Sequence, residues 1–184
     1  MFKREDTVKV KLGRGENVVF VGGDAPVSVQ SMLNRHSTDF EGNVAQAIAL
    51  EKAGCEIIRV SVPNMETVPL ISKLKEAVKV PIVADIHFDY KLAIESAFAG
   101  VDKIRINPGN IGDDAKVKQV VDICKQKNIP IRVGVNSGSV EKHILAKYGA
   151  PTPEALCESA MYHLSLLHKF DFNDAIISIK SSDV

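Results

Sequence analysis

The sequence is expected to fold as an α/β protein of the TIM type, a (β/α)8 barrel that runs out after about six strands and is preceded by a β-hairpin. Three observations lead there. Strand-like and helix-like stretches alternate along the chain, as in parallel strands joined by right-handed crossovers. Two local templates recur in turn: AGCEIIRVSVP (53–63) matches AGVDKIRINPG (99–109), and KVPIVADIH (79–87) matches NIPIRVGVN (128–136). Templates that return after every second unit suit a closed barrel, whose odd and even strands fill different layers of the interior, better than an open doubly wound sheet. Finally, the polar residues of these strands keep one phase and lie late in each strand.

The chain opens with VKVKLG and NVVFVG joined through RGE, read as a hairpin. Strands follow at VSVQSM (27–32), EIIRVSV (56–62), PIVADI (81–86), DKIRIN (102–107), PIRVGVN (130–136) and AIISIK (175–180). Five helical patterns separate them. Thr38 or Asp39 can cap the first, whose apolar face is Phe40, Val44, Ala47 and Ile48, and Gly54 ends it. Asn64, Asp89 and Asp113 stand before the next three, and Thr152-Pro153-Glu154 opens the fifth, with proline where its missing N–H is no loss. Leu156, Ala160, Leu164 and Leu167 line its inward face. Residues 1–26 are accordingly expected to be a hairpin closing the barrel base, and residues 27–184 a partial barrel.

Side chains alternate across a strand, so Ile58, Val60 and Val62 share one face while Ile57, Arg59 and Ser61 share the other. The apolar face should meet the helices. The same count turns Asp85 and His87, Arg105 and Asn107, and Arg132 and Asn136 inward, with Ile82, Ile104 and Ile131 outward. In the last strand Ile177 and Ile179 oppose Ser178 and Lys180. A solvated antiparallel sheet shows similar alternation, but helices separate these strands. Burying a cation without a partner costs many kcal/mol, so Arg59, Arg105, Arg132 and Lys180 should point into a wet or ligand-filled mouth at the carboxyl ends of the strands. Against them stands one carboxylate, Asp85. The surplus calls for a polyanion, and the planar fork of arginine suits a diphosphate better than a lone carboxylate. Asp85 and His87 are the candidate catalytic residues; as a metal pair they lack a third ligand, and His87 suits a structural role equally well. The turn residues NPGNIG (107–112) offer backbone N–H groups to a phosphate.

Composition narrows the partners. Lysine plus arginine and aspartate plus glutamate are 23 each, so no global field draws the chain to nucleic acid or to an anionic membrane. No run approaches the roughly 18 apolar residues of a membrane span, and MFKREDTVKV is charged where a secretory signal is apolar, so a cytoplasmic protein is expected. Cys55, Cys124 and Cys157 form no CxxC pair; they read as small buried hydrophobes, and no metal site is expected in this chain.

VQSM (29–32), AGCEIIRVSVP, VADIHFDY (83–90), VDKIRINPGNIG (101–112), IRVGVNSGS (131–139), AKYG (146–149) with PTPEAL, and SIKSSDV together resemble the N-terminal barrel of the 4-hydroxy-3-methylbut-2-enyl diphosphate synthase family. The resemblance runs from about residue 4 to the end, and VADIHFDY followed by RINPGNIG is its most specific part. It implies binding of 2-C-methyl-D-erythritol 2,4-cyclodiphosphate in the barrel mouth, for reductive ring opening and dehydration in the non-mevalonate route to isoprenoids. By that resemblance Arg59, Arg105, Arg132, Asn136 and Lys180 hold the substrate diphosphate, and Asp85 and His87 line the same pocket.

The family also carries a [4Fe–4S] cluster on three cysteines and a glutamate of a C-terminal domain, and draws electrons from a flavodoxin or ferredoxin. No cysteine here matches those ligands, and the catalytic acid of a later strand has no counterpart. With six strands counted against eight, the chain is expected to be a fragment without synthase activity of its own, and its two open sheet edges are expected to be covered in a homodimer. Two other readings fit the same residues: another phosphate-ligand barrel, such as a pterin-binding synthase or an aldolase using Lys180, and a non-catalytic anion-binding module.

Overall fold

A computed structural model describes residues 3–15 and 17–181. Met1, Phe2, Glu16 of the RGE turn, and Ser182, Asp183 and Val184 of SIKSSDV lie outside the described residues. Strands β1 (Val10–Arg14) and β2 (Asn17–Val21) form an antiparallel hairpin. Then come β3 (Gln30–Met32), α1 (Phe40–Lys52), β4 (Ile57–Ser61), α2 (Val68–Ala77), β5 (Ile82–Asp85), α3 (Tyr90–Phe98), β6 (Lys103–Ile106), α4 (Asp114–Lys127), β7 (Ile131–Asn136), α5 (Lys142–Tyr148), α6 (Pro153–His168) and β8 (Ala175–Lys180). The six strands after the hairpin pair in sequence order and all in parallel, giving a curled half-barrel.

The helices start where a short polar side chain can satisfy their free N–H groups. Asp39 accepts from Gly42 N, Asp89 from Lys91 N, Asp113 from Lys116 N and Thr152 from Ala155 N. Asn64 caps the short 3-10 turn Met65–Thr67 that leads into α2. Asn128 ends α4 in the left-handed region (φ 52°), which asparagine tolerates better than most residues.

Two apolar clusters follow from strand alternation. The outward side chains Ile58, Ile82, Ile104 and Ile131 are fully buried in one cluster with Leu70, Leu74, Val120 and Val121 of the helices. Each such side chain contributes on the order of 1.5–3 kcal/mol by leaving water. Inward and near the amino ends of their strands, Ile57 and Val83 pack with Val10 and Leu12 of the hairpin. The apolar floor lies there; Arg59 and Lys103 are level with Val83 in the register, and the other polar inward residues of the central strands lie above it.

Five expectations change. VSVQSM is a strand only over Gln30–Met32; Val27 and Val29 are exposed, because this edge strand has a single neighbour to pair with. A sixth helix, α5, occupies the stretch around AKYG; with seven residues and one buried side chain it is too short to leave a periodic signal. Ile177 and Ile179, expected to meet helices, are 41% and 47% exposed, at the edge of the sheet where β8 has a strand neighbour on one side only. Cys55 and Cys124 are buried as expected, but Cys157 is exposed on α6. On that helix Leu164 is only half-buried, whereas His163 is 1% exposed.

Candidate functional site

Asp85 ends β5 with its side chain 2% exposed and acts as the hub of the barrel mouth. From β4, Arg59 Nη2 donates to Asp85 Oδ2 at 2.5 Å. From β6, Arg105 Nη1 donates to Oδ1 at 3.3 Å. His87 Nε2 lies 3.6 Å from Oδ2, and its Nδ1 is 3.4 Å from Arg105 Nη1. This convergence depends on register: Ser61, Asp85, Arg105 and Arg132 are successive cross-strand partners from β4 to β7, so their side chains form one layer. Arg59 stands one layer lower, and its length lets it reach up to Asp85.

Both oxygens of the hub are therefore occupied, while the cations still outnumber it. Arg59 Nε is buried without a hydrogen-bond partner among the described residues. Arg132 donates from Nε to Ser178 Oγ at 2.9 Å rather than to a carboxylate. Burial lowers the pKa of Arg132, and the nearby charges of Arg59 and Arg105 lower it further, against the opposing pull of Asp85. An anion entering this layer would find unspent guanidinium donors in a site already partly stripped of water.

Gly134 of β7 makes the layer possible. A Cβ there would stand 2.3 Å from Arg105 Nε and 2.5 Å from its Nη2, so any larger residue would evict the guanidinium. Arg105 Nη2 instead donates to Gly134 O at 3.1 Å, and Gly134 N donates to Asn107 Oδ1 at 3.1 Å. Neither Gly134 nor this use of Asn107 follows from alternation, because each depends on what the neighbouring strand presents at the same height.

Asn136 and Lys180 are cross-strand partners at the outer rim, two residues further along β7 and beyond the Asp85 cluster. Asn136 Oδ1 accepts from Gly138 N at 3.4 Å, and Lys180 is exposed with no side-chain hydrogen bond to the described residues. Of the seven sequence candidates, Arg59, Asp85, His87 and Arg105 thus form one contiguous cluster, Arg132 joins it electrostatically, and Asn136 and Lys180 stand above it. One further inward residue, Lys103, is 2% exposed beneath Arg105. Its phase, two residues before Arg105, was the signal for it.

The NPGNIG turn is held from behind. Gly109 N donates to His163 Nδ1 at 3.1 Å, and His163 Nε2 is 2.6 Å from Glu141 Oε1. Burial lowers the pKa of His163 while Glu141 raises it, and burial dominates. The N–H groups of Gly109 and Asn110 are consequently spent inside the protein, the latter on Asn107 O, rather than left for a phosphate. Sequence reading missed His163 because a lone histidine on a helix carries no pattern of its own.

Cavities elsewhere do not rival the mouth chemically. One of about 480 Å³ lies between α1 and α2 and is lined mainly by apolar residues. Another of about 660 Å³ beside Lys11, Arg14 and Lys127 faces the carbonyl end of α4, which already receives Arg14 at Lys127 O. Among the described residues no three His, Cys, Asp or Glu side chains gather as a metal site.

Curled parallel sheet, hairpin floor and cationic upper layer together define a class: a β/α-barrel domain with an arginine-rich mouth. Residues 7–184 match the family model described as the GcpE TIM-barrel domain, and the chain belongs to that family. A protein of Caldicellulosiruptor saccharolyticus named 4-hydroxy-3-methylbut-2-en-1-yl diphosphate synthase (flavodoxin) is 54% identical over 178 residues, covering 97% of this chain and 50% of the relative. One of Fusobacterium nucleatum with the same name is 56% identical over 164 residues, 89% of this chain and 46% of the relative. The chain spans about half the length of the curated relatives it matches. Among solved structures, the Yersinia pestis dihydropteroate synthase bound to a pterine-sulfa conjugate superposes with a TM-score of 0.64 at 14% identity, over 92% of this chain and 65% of that one. The Xanthomonas albilineans enzyme gives 0.61 at 13%, over 95% and 69%. At such identities the likeness is one of fold.

Proposed function

We propose that this barrel binds 2-C-methyl-D-erythritol 2,4-cyclodiphosphate for its conversion to 4-hydroxy-3-methylbut-2-enyl diphosphate. The observation that carries the reading is the mouth layer, in which three arginines surround one fully committed carboxylate. Arg59, Arg105 and Arg132 hold the diphosphate oxygens, and Asn136 and Lys180 close on them from the rim. Asp85 aims Arg59 and Arg105 and keeps their charges from repelling. His87, half-exposed above Asp85, is placed to meet the substrate at the opening. The reaction takes up two electrons and two protons and releases water, and the charge left on the departing diphosphate oxygen is what preorganised guanidiniums stabilise.

An iron–sulfur cluster does not fit the residues of this chain. Cys55 and Cys124 are buried and Cys157 is exposed on another element; burial pushes the Cys124 thiol up to about 12, far from the thiolate a cluster needs. These side chains therefore supply no electron-transfer step, and the chain is proposed to bind substrate without turning it over by itself. Where the relatives are named for flavodoxin, we extend a flavodoxin or ferredoxin donor to the reaction this barrel would serve. We place the protein in the cytoplasm; no helix among the described residues is long and apolar enough to cross a membrane.

The test is thermal unfolding with the cyclodiphosphate. At about 100 times its dissociation constant a specific ligand adds roughly 2.7 kcal/mol to stability. Arg105→Ala should abolish that gain. An unchanged melting temperature for the unaltered chain would overturn the reading.

A further inference from the structure

We propose that Lys103 is the floor of the anion site and takes up a proton when a diphosphate enters it, so that binding is linked to protonation from below. The inference rests on the function just proposed. Lys103 begins β6 on the inward face, in the row Arg59–Val83–Lys103 set by the strand register, directly under the layer that holds Asp85, Arg105 and Arg132. It is 2% exposed and makes no side-chain hydrogen bond or ion pair with the described residues. The acid next to it in sequence, Asp102, points to the opposite face, where it pairs with Lys75 at 2.6 Å. Asp85 has given both its oxygens to Arg59 and Arg105.

Charged groups reach this lysine from several elements. Arg59 of β4 shares its row, Asp85, Arg105 and Arg132 stand in the layer above on β5, on its own strand and on β7, and His87 lies one layer higher still; of these, Arg132 and Arg59 act on it electrostatically. The hairpin below contributes Val10 and Leu12, with Val83 and Ile57 beside them. The lysine therefore sits on an apolar floor with guanidiniums overhead and one carboxylate that is already matched. A charged ammonium in that position lacks a counter-ion, and the neutral amine is favoured until one arrives. Consistently, burial foremost, then the charges of Arg132 and Arg59, bring its pKa down from 10.5 to about 7. A diphosphate bound to the three arginines supplies negative charge to the layer just above, which reverses the balance and raises the affinity of the amine for a proton. The sign is fixed: affinity for the anion is highest where Lys103 is readily protonated and weakens as pH rises above the titration of the empty site.

The experiment titrates inorganic diphosphate calorimetrically into the 184-residue chain at pH 8 in two buffers of different ionisation enthalpy, alongside Lys103→Met and His87→Gln. Because the ligand's own ionisation is common to all three proteins, the difference between them isolates the side chain. Unaltered protein and H87Q should take up roughly one more proton per diphosphate than K103M, and between pH 7.5 and 8.5 their affinity should weaken by up to about tenfold more than that of K103M. Equal uptake in K103M, or uptake lost in H87Q instead, overturns the inference while leaving diphosphate binding intact. Absence of binding at every pH removes both this inference and the function on which it rests. Titration of the Lys103 side chain by NMR in unaltered protein, with and without diphosphate, tests the same linkage without a substitution; a pKa that does not rise with ligand counts against it.

Discussion

Asp85 does more than any other residue to make the cluster tolerable. Arg59 and Arg105 side chains are 22% and 14% exposed, so each has lost much of its hydration and depends on that carboxylate. Removing one partner of a buried pair strands the other, which is worse than lacking both. Asp85→Asn should therefore destabilise the chain by about 3 kcal/mol, the low end for a buried pair because the arginines keep some water. Urea unfolding at pH 7 measures it. Saturating diphosphate should recover part of the loss, since the anion then supplies the counter-charge. A substitution without effect on the unfolding midpoint would mean that the arginines find water instead.

At the scale of elements, β6 and its turn are anchored by α6. The bond from Gly109 N requires an unprotonated Nδ1 on His163, and burial favours that neutral ring. Because the folded pKa of His163 is depressed below 6.5, the unfolded chain binds a proton first as pH falls, and stability contributed above that pH is lost on acidification. His163→Ala should cost about 1–3 kcal/mol near pH 7.5 through the lost hydrogen bond and the cavity. Between pH 7.5 and 5.5 the urea midpoint of the unaltered chain should fall further than that of the variant, and parallel falls would exclude His163 as the cause. Spacing and alternation in the sequence were enough to place the helices that carry caps and the strands that carry arginines. They did not reveal α5, the short extent of β3 or the role of His163, because each is settled by contacts with elements distant in the chain.

Among the described residues of the molecule as a whole, the six-stranded sheet has an edge strand at each end, β3 and β8, and on the outer face of β8 stand two exposed isoleucines. Open edges with apolar cover missing invite pairing, and a formal net charge of zero offers no long-range repulsion against it. We propose a homodimer or higher assembly through this side. Sedimentation velocity should show mass rising with concentration, and Ile177→Lys with Ile179→Lys should shift the chain toward monomer. Concentration-independent monomer in the unaltered protein would refute the proposal. The hairpin is proposed as the unit that seals the opposite, amino-terminal end of the barrel, through Val10 and Leu12.

Which residues look inward is a local matter. A strand repeats every two residues, so the order of Arg59, Asp85, Arg105 and Arg132 along the chain already assigns them to one side of a sheet, and the interleaved templates already indicate that the sheet curls. Heights and partners are not local. That Asp85 falls level with Arg105 and Arg132, that Gly134 opens room for a guanidinium, and that Lys103 ends up buried beneath them all depend on how each strand slides against the next. Register is fixed by packing of the entire outer core, and a periodicity of two cannot encode it.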